Sequence, residues 1–320
     1  MPRFMIPLLG SFLLPLTAWC AEGELRAPVL GYLLQEDPLE LRAISGIPGA
    51  AVRGEPLPLP EDVTRLRLAP GHGFALAERG ESDPAAVLLL DGRAALAAPV
   101  PGALARAGLV VFSPNGGAAA LYSAGEMRLQ VLTGLPLQPR VLRDIEASGL
   151  VALAVSDDGE MLLTADAQGL VCVSRSAGER QLVFRAESLA GMTFLPRRRE
   201  AVVGDRGRGD IFLLGGFNDA VYSRLIASGL EGPGDVRAAA DGRSVLVAGG
   251  EGNRVWIVDI ASATARALDL PAGPAFLEPL RLPDTYLFAS PPGEPAWLLV
   301  RSPDETRSYF IPGAEGRDPQ

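Results

Sequence analysis

The chain has 320 residues, 48% of them hydrophobic and 21% charged, which is the balance of a folded globular protein and not of a disordered one. A formal net charge of −9 and a pI near 4.9 argue against a nucleic-acid partner, because phosphate binding needs a basic face. Lysine is absent and all 29 basic residues are arginine, which excludes a P-loop lysine, a pyridoxal Schiff base and any lysine nucleophile.

At the start of the chain, Arg3 precedes the apolar stretch "FMIPLLGSFLLPL" and then the small-residue region "TAWCAEG". This is the layout of a secretory signal with its cleavage site. Residues 1–20 are therefore assigned to a signal peptide, 21–313 to one domain and 314–320 to a disordered tail. The apolar stretch is short and soon followed by Glu22 and Glu24, so no stable membrane span is expected after cleavage. The mature protein is expected in the periplasm or outside the cell. Cys20 could accept a lipid, but the bulky Trp19 stands where a small residue is expected, which favours simple export. With only Cys20 and Cys172 in the chain, no disulfide framework is implied.

Downstream, "PVLGYLLQEDPLELRAISGIPGAAVRGEPLPL" reads as two or three strands. Turn signals then recur from Pro70, Pro114, Asp157, Pro196, Ala240 and Pro283, at steps of 44, 43, 39, 44 and 43 residues. Within each period an apolar run precedes the turn, a second and a third follow it, and a weaker fourth closes the unit. The third period illustrates this with "LVALAV", "MLLTA", "VCVS" and "QLVFRA". Four strands per period of this length predict an all-β fold, a β-propeller. Six full units span Val63 to Ile311, and the earlier piece supplies a seventh, incomplete first blade. The alternative is a six-bladed ring with an N-terminal hairpin packed outside it.

The segments "SDDGEMLLTADAQGLVCVSRSAGE" and "AADGRSVLVAGGEGNRVWIVDIASATARAL" resemble the repeats of WD40-like and YVTN-type β-propellers, in which a D-G turn, a "VLVA" strand and a "VxVxD" strand recur. The WD dipeptide is missing, so secreted YVTN or lactonase-like propellers are the closer comparison. The resemblance covers most of the chain from Val63 to Ile311 and specifies a blade, not an activity. A lactonase-like relative implies a carboxylate-rich, metal-holding channel. The channel strands expected here are short of acids, which puts that activity in doubt.

The chemical inventory is sparse. His72 is the only histidine, so neither an HExxH site nor a histidine cluster can form, and the chain has no G-x-S-x-G elbow. Set between Gly71 and Gly73, it reads as a turn histidine, solvated or satisfied locally. Asp157, Asp158 and Glu160 lack the spacing of a calcium loop and read as hairpin chemistry. Arg208-Gly209-Asp210 matches an integrin-recognition triplet too short to carry weight, and Arg197 to Glu200 is a charged turn.

One constellation remains. The innermost strand of each blade lines the channel, and those strands are expected to present Arg65, Arg67, Arg106, Arg237 and Arg281, with Asp235 and Glu278. The arginines either converge on an anion or pair with these acids. The favoured function is an exported, non-catalytic binding or protein-interaction platform with no cofactor, metal or catalytic residue. Its partner would be a protein or a small anionic ligand. The alternative is a lactonase-like hydrolase with a channel-centred site.

Overall fold

One short turn recurs around the molecule. In it an N–H bonds back to the carbonyl three residues earlier: His72 to Ala69 (2.8 Å), Gly116 to Ser113 (2.9 Å), Gly159 to Ser156 (2.9 Å), Arg198 to Leu195 (3.2 Å) and Gly242 to Ala239 (2.9 Å). Several of these turns need a left-handed residue, which glycine supplies at Gly71, with φ of 78°, and His72 itself adopts, with φ of 51°. Each turn reverses the chain between two apolar runs and so starts an antiparallel sheet. The computed structural model describes residues 27–312 apart from 176–179, 251, 275, 289–295 and 303–304. The expected signal peptide, Cys20 and the 314–320 tail lie outside the described residues.

The described chain is all β, in seven small antiparallel sheets without a helix. Blade 1 contains β1 (Val29–Glu36), β2 (Leu39–Ser45) and β3 (Val52–Pro56). Blade 2 contains β4 (Val63–Leu68), β5 (Phe74–Arg79), β6 (Asp83–Leu90) and β7 (Ala94–Pro99). Blade 3 contains β8 (Leu109–Phe112), β9 (Ala118–Ser123), β10 (Arg128–Thr133) and β11 (Arg140–Glu146). Blade 4 contains β12 (Leu150–Val155), β13 (Leu162–Asp166), β14 (Leu170–Ser174) and β15 (Arg180–Arg185). Blade 5 contains β16 (Leu189–Phe194), β17 (Ala201–Asp205), β18 (Asp210–Gly215) and β19 (Tyr222–Ala227). Blade 6 contains β20 (Pro233–Ala238), β21 (Ser244–Gly249), β22 (Arg254–Asp259) and β23 (Thr264–Asp269). Blade 7 contains β24 (Glu278–Pro279), β25 (Thr285–Phe288), β26 (Ala296–Arg301) and β27 (Thr306–Ile311). The seven-bladed expectation with an incomplete first blade holds, and the six-bladed alternative falls.

Burial follows strand position. Second strands such as β9 and β21 are buried at every residue, while the outermost β7 and β23 are mostly exposed. Seven apolar clusters fill the spaces between blades. Ala119 and Leu121 of blade 3 meet Leu76 and Val87 of blade 2, and Val236 and Val245 of blade 6 meet Val202 and Ile211 of blade 5. The ring closes where Leu30, Leu33 and Ile44 of blade 1 pack on Leu280, Leu287, Leu298 and Ile311 of blade 7.

Polar brackets reinforce the apolar joints. Asp157 accepts the N–H groups of Asn115 (2.9 Å) and Arg197 (2.8 Å), tying the turns of blades 3, 4 and 5 together. Arg301 of blade 7 reaches Asp241 of blade 6 at 2.6 Å. Burial opposes ionisation at Asp241, but the Arg243 N–H and the Arg301 guanidinium outweigh it and hold the carboxyl below its usual range.

Blade 1 is incomplete in a specific way. In the other six blades the first strand is innermost and runs toward the recurring turn; β12 packs against β8 and β16, and β16 against β20. β1 runs the other way. Its first residues lie at the turn end, where the Leu30 carbonyl accepts the Arg281 N–H (3.0 Å) and the Tyr32 N–H meets His72 of the blade 2 turn. Its last residues, with Leu39, reach the opposite end, beside Arg106 to Gly108. β1, β2 and β3 thus correspond to the second, third and outermost strands of the other blades. Among the described residues no strand holds the innermost position of blade 1.

Within blade 5, the fully buried Asp205 accepts four backbone N–H groups, from Glu187 (2.9 Å), Ser188 (3.2 Å), Gly207 (3.0 Å) and Arg208 (3.4 Å). Asp205→Ala strands these donors and is expected to lower stability by about 2 to 3 kcal/mol. Urea denaturation of the variant beside the parent measures the loss.

Candidate functional site

The gap in blade 1 decides where the channel widens. A cavity of about 420 Å³ lies there, walled among the described residues by blades 6, 7, 1, 2 and 3 and not by blades 4 and 5. Because β1 stands one strand further out than the inner strands of its neighbours, its Leu34 and Glu36 form the back wall. β4 contributes Arg67 and Leu68, β8 contributes Val110 to Phe112, β20 contributes Arg237, and the blade 7 segment contributes Phe276 and Glu278. The walls are largely apolar, and two charges of each sign face into the space.

These charges are arranged in pairs. Arg67 Nη1 binds Glu36 Oε1 and also donates to its neighbour's carbonyl, that of Leu66, at 3.1 Å. Arg237 Nε donates to Asp235 Oδ2 at 2.8 Å, and the same oxygen accepts the Leu277 N–H at 3.1 Å. The charge of Asp235, with that of Glu278 beyond it, raises the pKa of Arg237 against the opposing effect of desolvation. No hydrogen bond engages Arg67 Nε and Nη2 or Arg237 Nη1 and Nη2 among the described residues. Each guanidinium thus keeps donors for a further acceptor.

Glu278 is backed by the one histidine. His72 is fully buried, and its Nδ1 accepts the Tyr32 N–H at 2.9 Å, so its proton sits on Nε2. Nε2 lies 3.2 Å from Glu278 Oε1, close in distance but poorly aligned for a hydrogen bond. A side chain at Gly31 would meet Leu280 at 2.6 Å and His72 Nδ1 at 3.0 Å, so glycine is required for this approach. The turn reading of His72 was right about place but did not anticipate the contact with Glu278.

Two of the five arginines expected in the channel, Arg67 and Arg237, meet in the cavity. Arg65 reaches the Ala107 carbonyl at 3.4 Å and lies 4.0 Å from Glu78. Arg106 pairs at 3.5 Å with the exposed Glu81. Both border a second, more open depression at the end of the ring away from the recurring turns. Arg281 lies within the joint of blades 7, 1 and 2. It donates to the Leu90 carbonyl, lies 3.4 Å from the His72 carbonyl, and places its guanidinium 5.5 Å from the Tyr32 ring centroid.

Glu36, Leu34 and Phe276 were missed as wall residues. Only the direction of β1 brings the first two there, and Phe276 precedes its strand in a loop. Arg208 of the Arg-Gly-Asp triplet is ion-paired with Glu187 at 3.1 Å. Among the described residues no group of three or more histidine, cysteine, aspartate or glutamate side chains is placed to hold a metal ion.

No family model matches the sequence, and no curated protein matches it. Solved structures do match the fold. A functionally unknown protein from Desulfotomaculum acetoxidans aligns at TM-score 0.62 and 13% identity, covering 90% of this chain and 96% of that one. A protein from Bacteroides fragilis with a provisional assignment as a 6-phosphogluconolactonase aligns at TM-score 0.59 and 12% identity, covering 89% and 95%. The seven-bladed arrangement and these neighbours agree on a β-propeller fold. At such identities the likeness is one of fold.

Truncating His72 to Ala leaves the buried Tyr32 N–H without its acceptor and is expected to cost about 1 to 3 kcal/mol. His72→Asn, whose Oδ1 falls near the position of Nδ1, recovers part of it. Thermal and urea unfolding of the two variants provide the measurement.

Proposed function

We propose that this chain is an exported, non-catalytic binding protein whose ligand presents an anionic group to Arg67 and Arg237. One observation carries this reading: ring closure brings these arginines, from blades 2 and 6, into the wall of one cavity with donors still unengaged. Arginine suits the role, because its planar fork can grip a carboxylate or phosphate while keeping a structural pair on another nitrogen. The apolar walls supply contact area, and the acids Glu36 and Asp235 hold the guanidinium groups in place. Export rests on the sequence of residues 1–20.

Calorimetry on a panel of small anions, inorganic phosphate and 6-phosphogluconate included, tests the site. Arg67→Ala and Arg237→Ala are each expected to weaken binding by about 1.5 to 3 kcal/mol, the range for a hydrogen bond to a charged group. Arg197→Ala and Arg198→Ala, in the recurring turn of blade 5 and outside the cavity wall, should leave it unchanged. Absence of binding across the panel, or equal effects from the turn arginines, sinks the reading. Export predicts a mature N-terminus between Trp19 and Gly23, and N-terminal sequencing that returns Met1 would contradict it.

A second reading, a hydrolase of an anionic lactone, is favoured by the contact of Glu278 with His72 at the cavity wall and by the provisional assignment of the Bacteroides fragilis neighbour. Proton release from 6-phosphogluconolactone above the spontaneous rate, lost in Glu278→Gln, would select it. Metal analysis of the purified protein adds to this test, stoichiometric calcium or zinc favouring the enzyme.

A further inference from the structure

The innermost position of blade 1, which no strand holds among the described residues, leaves the inner edge of β1 facing the cavity. Leu34 pairs with Leu41 in the β1–β2 register, and the Leu41 carbonyl is taken on its far side by the Leu57 N–H at 2.7 Å. Leu34–Leu41 is therefore a pair without mutual hydrogen bonds, and the Leu34 N–H and carbonyl point inward, away from β2. The same alternation directs the Tyr32 N–H inward, where His72 takes it. Leu34 borders the cavity, and among the described residues no hydrogen bond meets its inward groups.

The turn end of this position is stoppered. The Arg281 N–H caps the Leu30 carbonyl, His72 caps Tyr32, and the Gly71 N–H bonds to the Pro279 carbonyl at 3.1 Å, joining blades 2 and 7 directly across the gap. A strand added beside β1 in the antiparallel sense runs toward this stopper, as the innermost strands of the other six blades run toward their turns. Its leading end is then a carboxyl terminus, and it cannot pass through. Arg67 and Arg237 are each the penultimate residue of their strand at that same end. The available depth alongside β1 is Leu34 to Glu36, room for about three or four residues at about 3.4 Å each.

We propose that the cavity takes the carboxyl-terminal end of an extended polypeptide, added as the fourth strand of blade 1, with its terminal carboxylate on Arg67 and Arg237. The proposal rests on reading the cavity as an anion site and names the ligand class. Backbone bonds to Leu34 give the segment its direction. The apolar wall of Leu34, Leu68, Val110, Phe112 and Phe276 receives its side chains.

The probe is a mixture of N-acetylated tetrapeptides with free carboxyl termini, set against the same mixture amidated at the carboxyl end and against unacetylated peptides. Retention by the full mature chain is read by ultrafiltration and mass spectrometry, and hydrogen exchange follows the Leu34 amide. Free-carboxyl peptides are expected to be retained about tenfold better than amidated ones, to protect Leu34, and to be lost in Arg67→Lys/Arg237→Lys, which keeps the charges but removes the fork. Equal retention of amidated peptides, a requirement for a free amine, or a Leu34 amide already protected before peptide is added overturns the proposal. If small anions bind in calorimetry while no peptide is retained, strand addition fails and the anion-site reading stands. If neither binds, both fall.

Discussion

A sheet of three or four short strands that is apolar on both faces cannot be stable alone, and every other feature of this molecule follows from how that difficulty is met. Each blade buries one face against the blade before it and the other against the blade after it, which gives seven apolar clusters for seven blades. The last cluster is the demanding one. It must join Leu30 and Ile44 to Leu287 and Ile311, near opposite ends of the described chain, and blades 1 and 7 each keep an apolar face uncovered until it forms. The channel and its charged groups are consequences of closing this ring.

The channel chemistry is that of paired charges more than of a bare positive site. Glu36 and Asp235 each hold an arginine by part of its fork. A lysine in either position would spend its single charged centre on the acid, whereas a guanidinium presents separate edges to two partners. This gives the absence of lysine from the whole chain a local meaning, since the cavity depends on basic groups that can be anchored and still offer donors.

Much of the fold could be read from the sequence, because the turn signals recur at nearly constant steps and the strands keep the same order of apolar and weaker runs. The identity of the missing strand could not. "VLGYLLQE" has the same character as an inner or a second strand, and only its partners, His72 and Arg281, reveal that it runs against the inner strands. The site was legible to the same degree. Arg67 and Arg237 were found because alternation along a recognised inner strand sets which residues face the channel. Arg65 was misplaced because depth along the channel is not encoded in that alternation, and Arg106 because it precedes its strand in a loop. Arg281 was misplaced because it lies beyond its two-residue strand, and the role of His72 was hidden because its partners lie in blades 1 and 7.

The joint between blades 7 and 1 gives the ring a preferred direction of weakness. Among the described residues blade 7 is built from residues 278–311 and blade 1 from residues 29–56, and the joint between them is made by side-chain packing and a few isolated polar contacts. Pulling the two ends of the described chain apart would load this apolar contact in tension before any hydrogen-bonded ladder was sheared. Apolar packing yields over a short extension, whereas a ladder resists until its bonds break together. The molecule is a split washer, stiff around most of its circumference and compliant at the cut.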